Sequence, residues 1–461
     1  MDFMKKVTII FLLFYIFIFG VNAFAQEVQD SYDMSFEQAY ELMFVNNNSL
    51  KAAMKAKDVA RHQKNAALGL YSPKVGINTT VAMLDHDIAM HVNMAPLAPV
   101  TKTMTLQNKN LWEASGAITW NIFTGGKIIA ANQAAAAKYK ISDYKLEEVK
   151  GNLTSDLIKR YYGVCLAQDV VKVRQDVYDA TKKHLEDAKK YEKEGFIAHS
   201  ETLHAEVAFA KADRELKASK RDLQVVNDAL IRLVKAQNVD LDGVSVNPTS
   251  RLFIYKNDLP DIEVIKNEVL ANSPLIKQSE GKNKVVNANY KAKLADYSPI
   301  VTVGAYDIFA NDSLSPLVPR MAFAATANWM VFDGFSRLNN VKAAKALKSQ
   351  VEFEHADIQT TLMTYADKLY NELLKAKEQY ESTDSSIKSA EEAVRVTTLS
   401  FKEGFSTSLS VTDAQVALSA EKIDRLNALY KFDIALIELL RLEGQTGKIF
   451  EYINNSETEQ L

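Results

Sequence analysis

Cysteine is almost absent. Cys165 stands alone in 461 residues, so no disulfide can form within the chain, and its position far from the N-terminus excludes a lipid-bearing cysteine at the start of an exported form. Charge of one sign is also lacking. The 55 Lys and Arg nearly balance 58 Asp and Glu, for a net charge of −3 with no polybasic tract, which argues against a nucleic-acid partner. Beyond the first 20 residues no stretch is apolar enough to cross a bilayer as a helix. Any crossing would be made by β-strands, whose signal per segment is weak. Phosphate loops, dinucleotide fingerprints, zinc-protease helices and nucleophile elbows are all missing. Asp240-Leu241-Asp242-Gly243 lacks the rest of a calcium loop and reads as a turn. His199 and His204 are five apart, not the same-face spacing of a helical metal pair. Neither an enzyme nor a cofactor is expected.

What is present begins with an address. Lys5 and Lys6 precede an apolar run over 7–20, and Ala23-Phe24-Ala25 follows as a small-residue cleavage site. That order is a secretory signal over 1–25, with the mature chain starting at Gln26. The run is shorter than the ~20 residues of a membrane span, which disfavours an uncleaved anchor.

The chain then repeats itself. Tyr71-Ser72-Pro73 recurs as Tyr297-Ser298-Pro299, and Trp120-Asn121-Ile122-Phe123-Thr124-Gly125 as Trp329-Met330-Val331-Phe332-Asp333-Gly334. Lys193-Glu194-Gly195-Phe196 recurs as Lys402-Glu403-Gly404-Phe405, Ala205-Glu206-Val207-Ala208 as Ala414-Gln415-Val416-Ala417, and Leu230-Ile231-Arg232-Leu233 as Leu439-Leu440-Arg441-Leu442. The first pair is offset by 226 residues and the rest by 209, so the second half lacks 17 residues between Tyr-Ser-Pro and Trp. Five pairs in one order indicate a duplication. The repeats run over 35–240 and 261–450, joined by a linker at 241–260 and followed by a tail at 451–461.

All nine prolines lie within 73–99, 248–274 and 299–319, and 335–403 contains neither proline nor glycine. Nothing breaks a helix across those 69 residues, which at 1.5 Å per residue would be ~100 Å long. The matching segment, 127–194, carries only Gly151 and Gly163. Leu146, Val149, Leu153, Leu157, Val164, Val171 and Val177 recur at three- and four-residue steps or their multiples among charged residues, a coiled-coil stripe. Glu-Gly-Phe ends each long segment, and Ser200 or Ser406 offers a cap for the next helix. Each half is thus a long antiparallel hairpin with Gly195 or Gly404 at its tip.

Between each Tyr-Ser-Pro and the motif that begins at Trp120 or Trp329 lie two alternating stretches, over 73–123 and 299–332. Val75, Ile77 and Val81 interleave with Gly76, Asn78 and Thr80; Val303 and Ala305, then Phe323, Ala325 and Trp329, do likewise. Period two with an aromatic near one end suits a transmembrane strand, and equally a half-buried strand of a soluble sheet. Four strands cannot close a barrel, and open edges are not tolerated in lipid. Eight fill their own interior, while twelve leave a lumen. If the strands span a membrane, a homotrimer follows.

The duplicated tips and the W-x-x-F-[TD]-G junction resemble the TolC-like outer-membrane efflux protein family over nearly the whole chain after residue 25. The resemblance implies a mainly α fold with a small β part: four transmembrane strands per chain in a twelve-stranded barrel, continuous with a periplasmic tunnel of coiled-coil hairpins. It implies a passive duct in outer-membrane lipid, served by a periplasmic adaptor and an inner-membrane pump of RND or ABC type. By that analogy Gly195, Phe196, Gly404 and Phe405 mark the docking tips, and Trp120 and Trp329 the membrane interface. A phenylalanine on a turn exposes apolar surface that a partner could cover. The family's entrance is closed by charged and polar groups above the tips, for which Tyr380, Glu381, Asp384, Glu391 and Glu392 are candidates; each also suits a solvated helix face. Three copies of an acidic residue around one axis would repel, or hold a cation.

Two readings stand beside these. The extra segment of the first half is rich in Met and His, and Met90, His91 and Met94 would suit a soft ion such as Cu(I), against a plain surface loop. A periplasmic adaptor also uses long helical hairpins, but it carries one hairpin with compact β domains rather than two complete halves.

Overall fold

The computed structural model describes residues 31–93, 101–234, 245–255, 259–311 and 319–458. The expected export signal, Met94, and parts of the expected linker and tail lie outside them.

Each half opens with two short helices, α1 (Phe36–Asn46) and α2 (Asn48–Leu68) in the first. Ser35 and Gln38 form a capping box at the start of α1, which satisfies two otherwise orphaned amides. After Tyr-Ser-Pro come β2 (Lys74–Met83), β3 (Ile88–Asn93), β4 (Thr101–Gln107) and β5 (Asn110–Phe123). A hairpin of α3 (Lys127–Lys193) and α4 (His199–Val234) completes the half. The second half repeats this as α5 (Ile262–Asn272), α6 (Pro274–Ala295), β8 (Ile300–Asn311), β9 (Met321–Asn328), α7 (Ser336–Lys402) and α8 (Ser408–Leu442). The long helices α3 and α7 have 67 residues each, ~100 Å at 1.5 Å per residue. The repeat register holds throughout: α5 and α6 begin 226 residues after α1 and α2, and α7 and α8 begin 209 after α3 and α4. The longer segment of the first half carries β3 and β4, which pair antiparallel.

The linker and tail are more than connections. β1 (Ser31–Met34) pairs in parallel with β6 (Ser245–Pro248), and β7 (Phe253–Ile254) pairs with β10 (Glu457–Thr458) beyond α9 (Ile449–Asn454). Val246, Leu252, Phe253 and Ile254 are buried in one central core with Phe36, Leu157, Tyr161, Tyr162, Leu369, Phe432 and Ile437. Tyr161 ties this layer together by donating to the Met34 carbonyl (2.7 Å) while accepting from the Ser250 amide (3.1 Å). The chain termini of both repeats are therefore stapled at mid-height, where the stripe of α3 changes neighbours.

In its first part α3 lies between α2 and α6; in its second it packs on α4 and α8. Gly281 allows the first contact, since a Cβ there would overlap Ile141. In the second, Arg174 pairs with Glu215 (2.7 Å) and reaches the Ser419 hydroxyl (3.3 Å). Buried Glu438 of α8 accepts from Ser155 (2.6 Å) and Lys159 (2.6 Å) of α3. α7 packs on α5, α6 and α8, but the flank that carries Phe353 stays bare, with Phe353 76% exposed.

Candidate functional site

The four main strands form one antiparallel sheet in the order β2-β5-β8-β9, with β2 and β9 as free edges. Its register sorts the two faces. Val75 lies opposite Ile118, Val81 opposite Trp112, Trp120 opposite Val303, and Ala305 opposite Phe323. Alternate residues share a face, so one side carries these apolar groups and the other Asn78, Thr80, Ser115, Thr119, Asn121, Thr302 and Thr326. Thr302 donates to Asn121 across that polar side (2.7 Å). The apolar side is nevertheless exposed: Val75, Ile77, Val81 and Phe323 each leave about three-quarters of their surface uncovered. Trp112 and Trp120 mark its two ends, eight residues apart on β5, ~27 Å along the strand.

At one end the Trp motif converts strand into helix by the same device twice. The Trp120 indole donates to the Tyr71 carbonyl (2.8 Å), and Trp329 to Tyr297 (3.0 Å). Thr124 and Asp333 cap the long helices by accepting from the amides of Ile128 (3.4 Å) and Arg337 (2.9 Å). Gly125 and Gly334 supply the positive φ of the turn, 62° and 64°. Trp120 is paired within β5, whereas β9 stops at Asn328, short of the expected limit at 332. β5 has a neighbour on both sides and β9 on one only, so its last residues find no ladder.

At the far end both tips close in the same hydrogen-bonded turn. Phe196 donates to the Tyr191 carbonyl and Gly195 to Glu192, each at 2.9 Å; Phe405 donates to Ser400 (2.8 Å) and Gly404 to Phe401 (3.1 Å). That six-to-one pattern needs the left-handed glycine, and Gly195 (79°) and Gly404 (76°) provide it. It leaves Phe196 73% and Phe405 87% exposed.

The five expected gate residues separate into three environments. Tyr380 and Asp384, one helical turn apart on α7, both engage Arg425 of α8. The guanidinium donates to the Tyr380 hydroxyl (2.9 Å), lies over its ring (4.2 Å) and pairs with the Asp384 carboxylate. Glu391 pairs with Lys422 (3.5 Å), and Glu392 with Arg395 (2.6 Å). Glu381 is exposed. The expected like-charge repulsion is thus largely neutralised within the chain. Arg425 escaped the sequence reading, although the repeat flags it: 209 residues earlier stands Leu216, and Tyr380 and Asp384 answer to Val171 and Gln175. A position where a duplication trades an apolar group for a charge is a usable signal.

The Met/His cluster does not converge. Met90 lies opposite Met104 on the hairpin, while His91 points to the other face and meets the Thr103 hydroxyl (2.9 Å). Adjacent strand residues face opposite ways, so Met90 and His91 lie on opposite faces of the hairpin. Among the described residues no group of three His, Cys, Asp or Glu is placed to hold a metal, and no helix is long and apolar enough to cross a membrane.

A family model described as outer membrane efflux protein matches residues 39–236 and 265–445. No curated protein matches the sequence. Among solved structures, a membrane protein from Pseudomonas aeruginosa superposes with TM-score 0.74 at 15% identity, covering 88% of this chain and 90% of that one. The outer membrane protein VceC from Vibrio cholerae gives 0.71 at 14%, covering 88% and 96%. The Campylobacter jejuni CmeC outer membrane channel gives 0.72 at 16%, covering 92% and 90%. At such identities these likenesses establish the fold.

Proposed function

The chain belongs to the outer membrane efflux protein family, and from that premise we propose that three copies close head to tail into one continuous duct. It is an outer-membrane efflux channel and not an enzyme; the periplasmic-adaptor alternative finds no support. The observation that carries the ring is an unanswered junction. Within the chain, α3 of the first half packs against α6 and α8 of the second. Among the described residues, the counterpart, α7 against α2 and α4, is not made to a comparable extent. Both flanks that would make it are bare and apolar: Phe353 and Leu347 on α7, Met54 and Val59 on α2, Val225 on α4.

Two different surfaces that fit each other make a heterologous contact, and such contacts close into rings. The sheet asks for the same closure, because β9 of one copy would pair with β2 of the next and no edge would face lipid. Two copies would give eight strands and a side-chain-filled interior; three give twelve and an open one. The exposed apolar face then meets lipid, and the ~27 Å between Trp112 and Trp120 suits an apolar band ~25 Å tall. The polar face lines the lumen. The long hairpins continue the duct into the periplasm.

Phe196 and Phe405 at the tips serve an adaptor, and an inner-membrane pump supplies the driving force. Arg425 with Tyr380 and Asp384 forms the constriction, backed by the Glu391–Lys422 and Glu392–Arg395 pairs. Crosslinking a cysteine near the end of β9 to one on β2 tests the ring. Covalent trimers in the outer-membrane fraction support it; products confined to monomers would sink it.

A further inference from the structure

The start of α6 is left open where the start of α2 is closed. The 226-residue offset places Ser273 where Asn47 stands. Both take the same extended backbone, with φ and ψ of −66° and 121° at Asn47 and −52° and 124° at Ser273. The Asn47 side-chain oxygen accepts from the amides of Ser49 (2.8 Å) and Leu50 (3.1 Å), which closes the start of α2. Ser273 makes no such cap. Pro274 has no N–H, so the amides of Leu275 and Ile276 are the first donors of α6. The Ser273 side chain is buried, with the residue 1% exposed, and its hydroxyl meets no hydrogen-bond partner. A buried polar group left unpaired costs free energy that a ligand can recover.

Ser273 stands in the wall of a cavity of about 260 Å³, room for a small organic molecule and not only for one water. Glu147, Glu148 and Gly151 of α3 line it from the first half, and Ser273, Arg441 and Thr446 from the second. Gly151 leaves space, since a Cβ there would already touch the Arg441 and Thr446 side chains, whereas the repeat puts Thr360 at the matching position. The lining carries both signs of charge. The uncapped start of α6 is positive, and beside it Arg441 is held by Glu438 (2.7 Å) and Asn152 (3.2 Å). Glu147 has Lys150 as its counter-ion (2.8 Å), but Glu148 accepts from the neutral Gln278 amide (2.9 Å).

We propose that this cavity binds the head group of a free α-amino acid. Its carboxylate takes the Leu275 and Ile276 amides, the Ser273 hydroxyl and Arg441, and its ammonium takes Glu148. A plain anion would meet Glu148 without a counter-ion, and a plain cation would meet Arg441 and the start of α6. A zwitterion answers both. The bound molecule would clamp the first half to the second at mid-height. Every residue of the site lies on one chain, so the proposal goes beyond the duct, and its failure would leave the ring untouched.

Isothermal titration of the full-length particle in detergent tests it. The probes are alanine, leucine, glutamate and lysine, with propionate as the carboxylate-only control and ethylamine as the ammonium-only one. At least one amino acid should bind with a Kd of about 1 mM or tighter, and both controls about tenfold more weakly or worse. Ser273→Asn lets the side chain cap α6 as Asn47 caps α2. It should cut binding about tenfold while the melting temperature of the particle holds or rises. Glu148→Gln should also weaken amino-acid binding about tenfold, yet leave propionate binding unchanged or tighter; it decides the matter if Ser273→Asn fails to fold. The proposal is overturned by no saturable binding of the four amino acids, by propionate binding as tightly as the best of them, or by binding that Glu148→Gln leaves unchanged.

Discussion

Gly125 and Gly334 occupy the same place in the two halves, yet the chain alone treats them differently. A Cβ on Gly125 would overlap the Ser298 side chain, 2.7 Å from its Oγ and 2.9 Å from the Ala295 carbonyl; around Gly334 there is open space. The repeat places Ser72 and Gly69 of the next copy where Ser298 and Ala295 stand in the first case. Ala at a positive φ costs ~1–2 kcal/mol, and forcing a methyl into a filled contact adds ~1–3. Gly125→Ala should therefore lose about 2–5 kcal/mol. Gly334→Ala loses only ~1–2 kcal/mol if its surroundings stay open, but as much as Gly125→Ala if the ring closes. The assay is the temperature at which the detergent-resistant oligomer dissociates. Equal losses are expected, with Ser72→Gly recovering part of the Gly334→Ala loss just as Ser298→Gly recovers part of the other. A Gly334→Ala loss that is small, and indifferent to Ser72→Gly, refutes the closure.

Other expectations follow from the same geometry. Arg425→Ala frees Tyr380 and Asp384 together and should raise single-channel conductance in planar bilayers; unchanged conductance removes Arg425 from the constriction. Phe196→Ala and Phe405→Ala sit on exposed turns, so thermal stability should hold within ~0.5 kcal/mol, while efflux and adaptor crosslinking fall. Burial, reinforced by Glu268, pushes the Glu443 carboxyl up to about 7. A raised acid gives stability that is complete below its unfolded value near ~4.3 and fades as pH rises through about 7. Glu443→Gln should thus raise the melting temperature at pH 8 and leave it unchanged at pH 4. Glu438 runs the other way. Burial opposes its ionisation, but Lys159, Ser155 and Arg441 outweigh that and hold it below the usual range. Its contribution is lost on acidification, and Glu438→Ala should cost ~1–3 kcal/mol at pH 7, because Arg441 keeps Asn152 and the Lys159 amine reaches water.

Much of this architecture was legible in the sequence because duplication writes every feature twice. The 209 and 226 offsets located the helices, the tips and the place of the longer segment, though not the hairpin it forms, since proline and glycine leave long helices few places to stop. The strands were found, but β9 ends early because ladder formation depends on a neighbour the chain does not contain. The segment around Phe253 read as linker from Gly243, Pro248 and Pro260. Two or four strand residues carry too little periodicity to announce that they close the central core. The constriction was half visible: Tyr380 and Asp384 stood out on α7, whereas Arg425 lies 41 residues beyond Asp384, and only the fold brings them together. Met90 and His91 looked like a ligand pair by composition, and strand alternation turns them apart.

The number of chains in the native particle tests the account most directly. Native mass spectrometry of the protein extracted gently from outer membranes should find three copies in one particle. A two-chain particle, or a monomer recovered from the soluble periplasmic fraction, would contradict it.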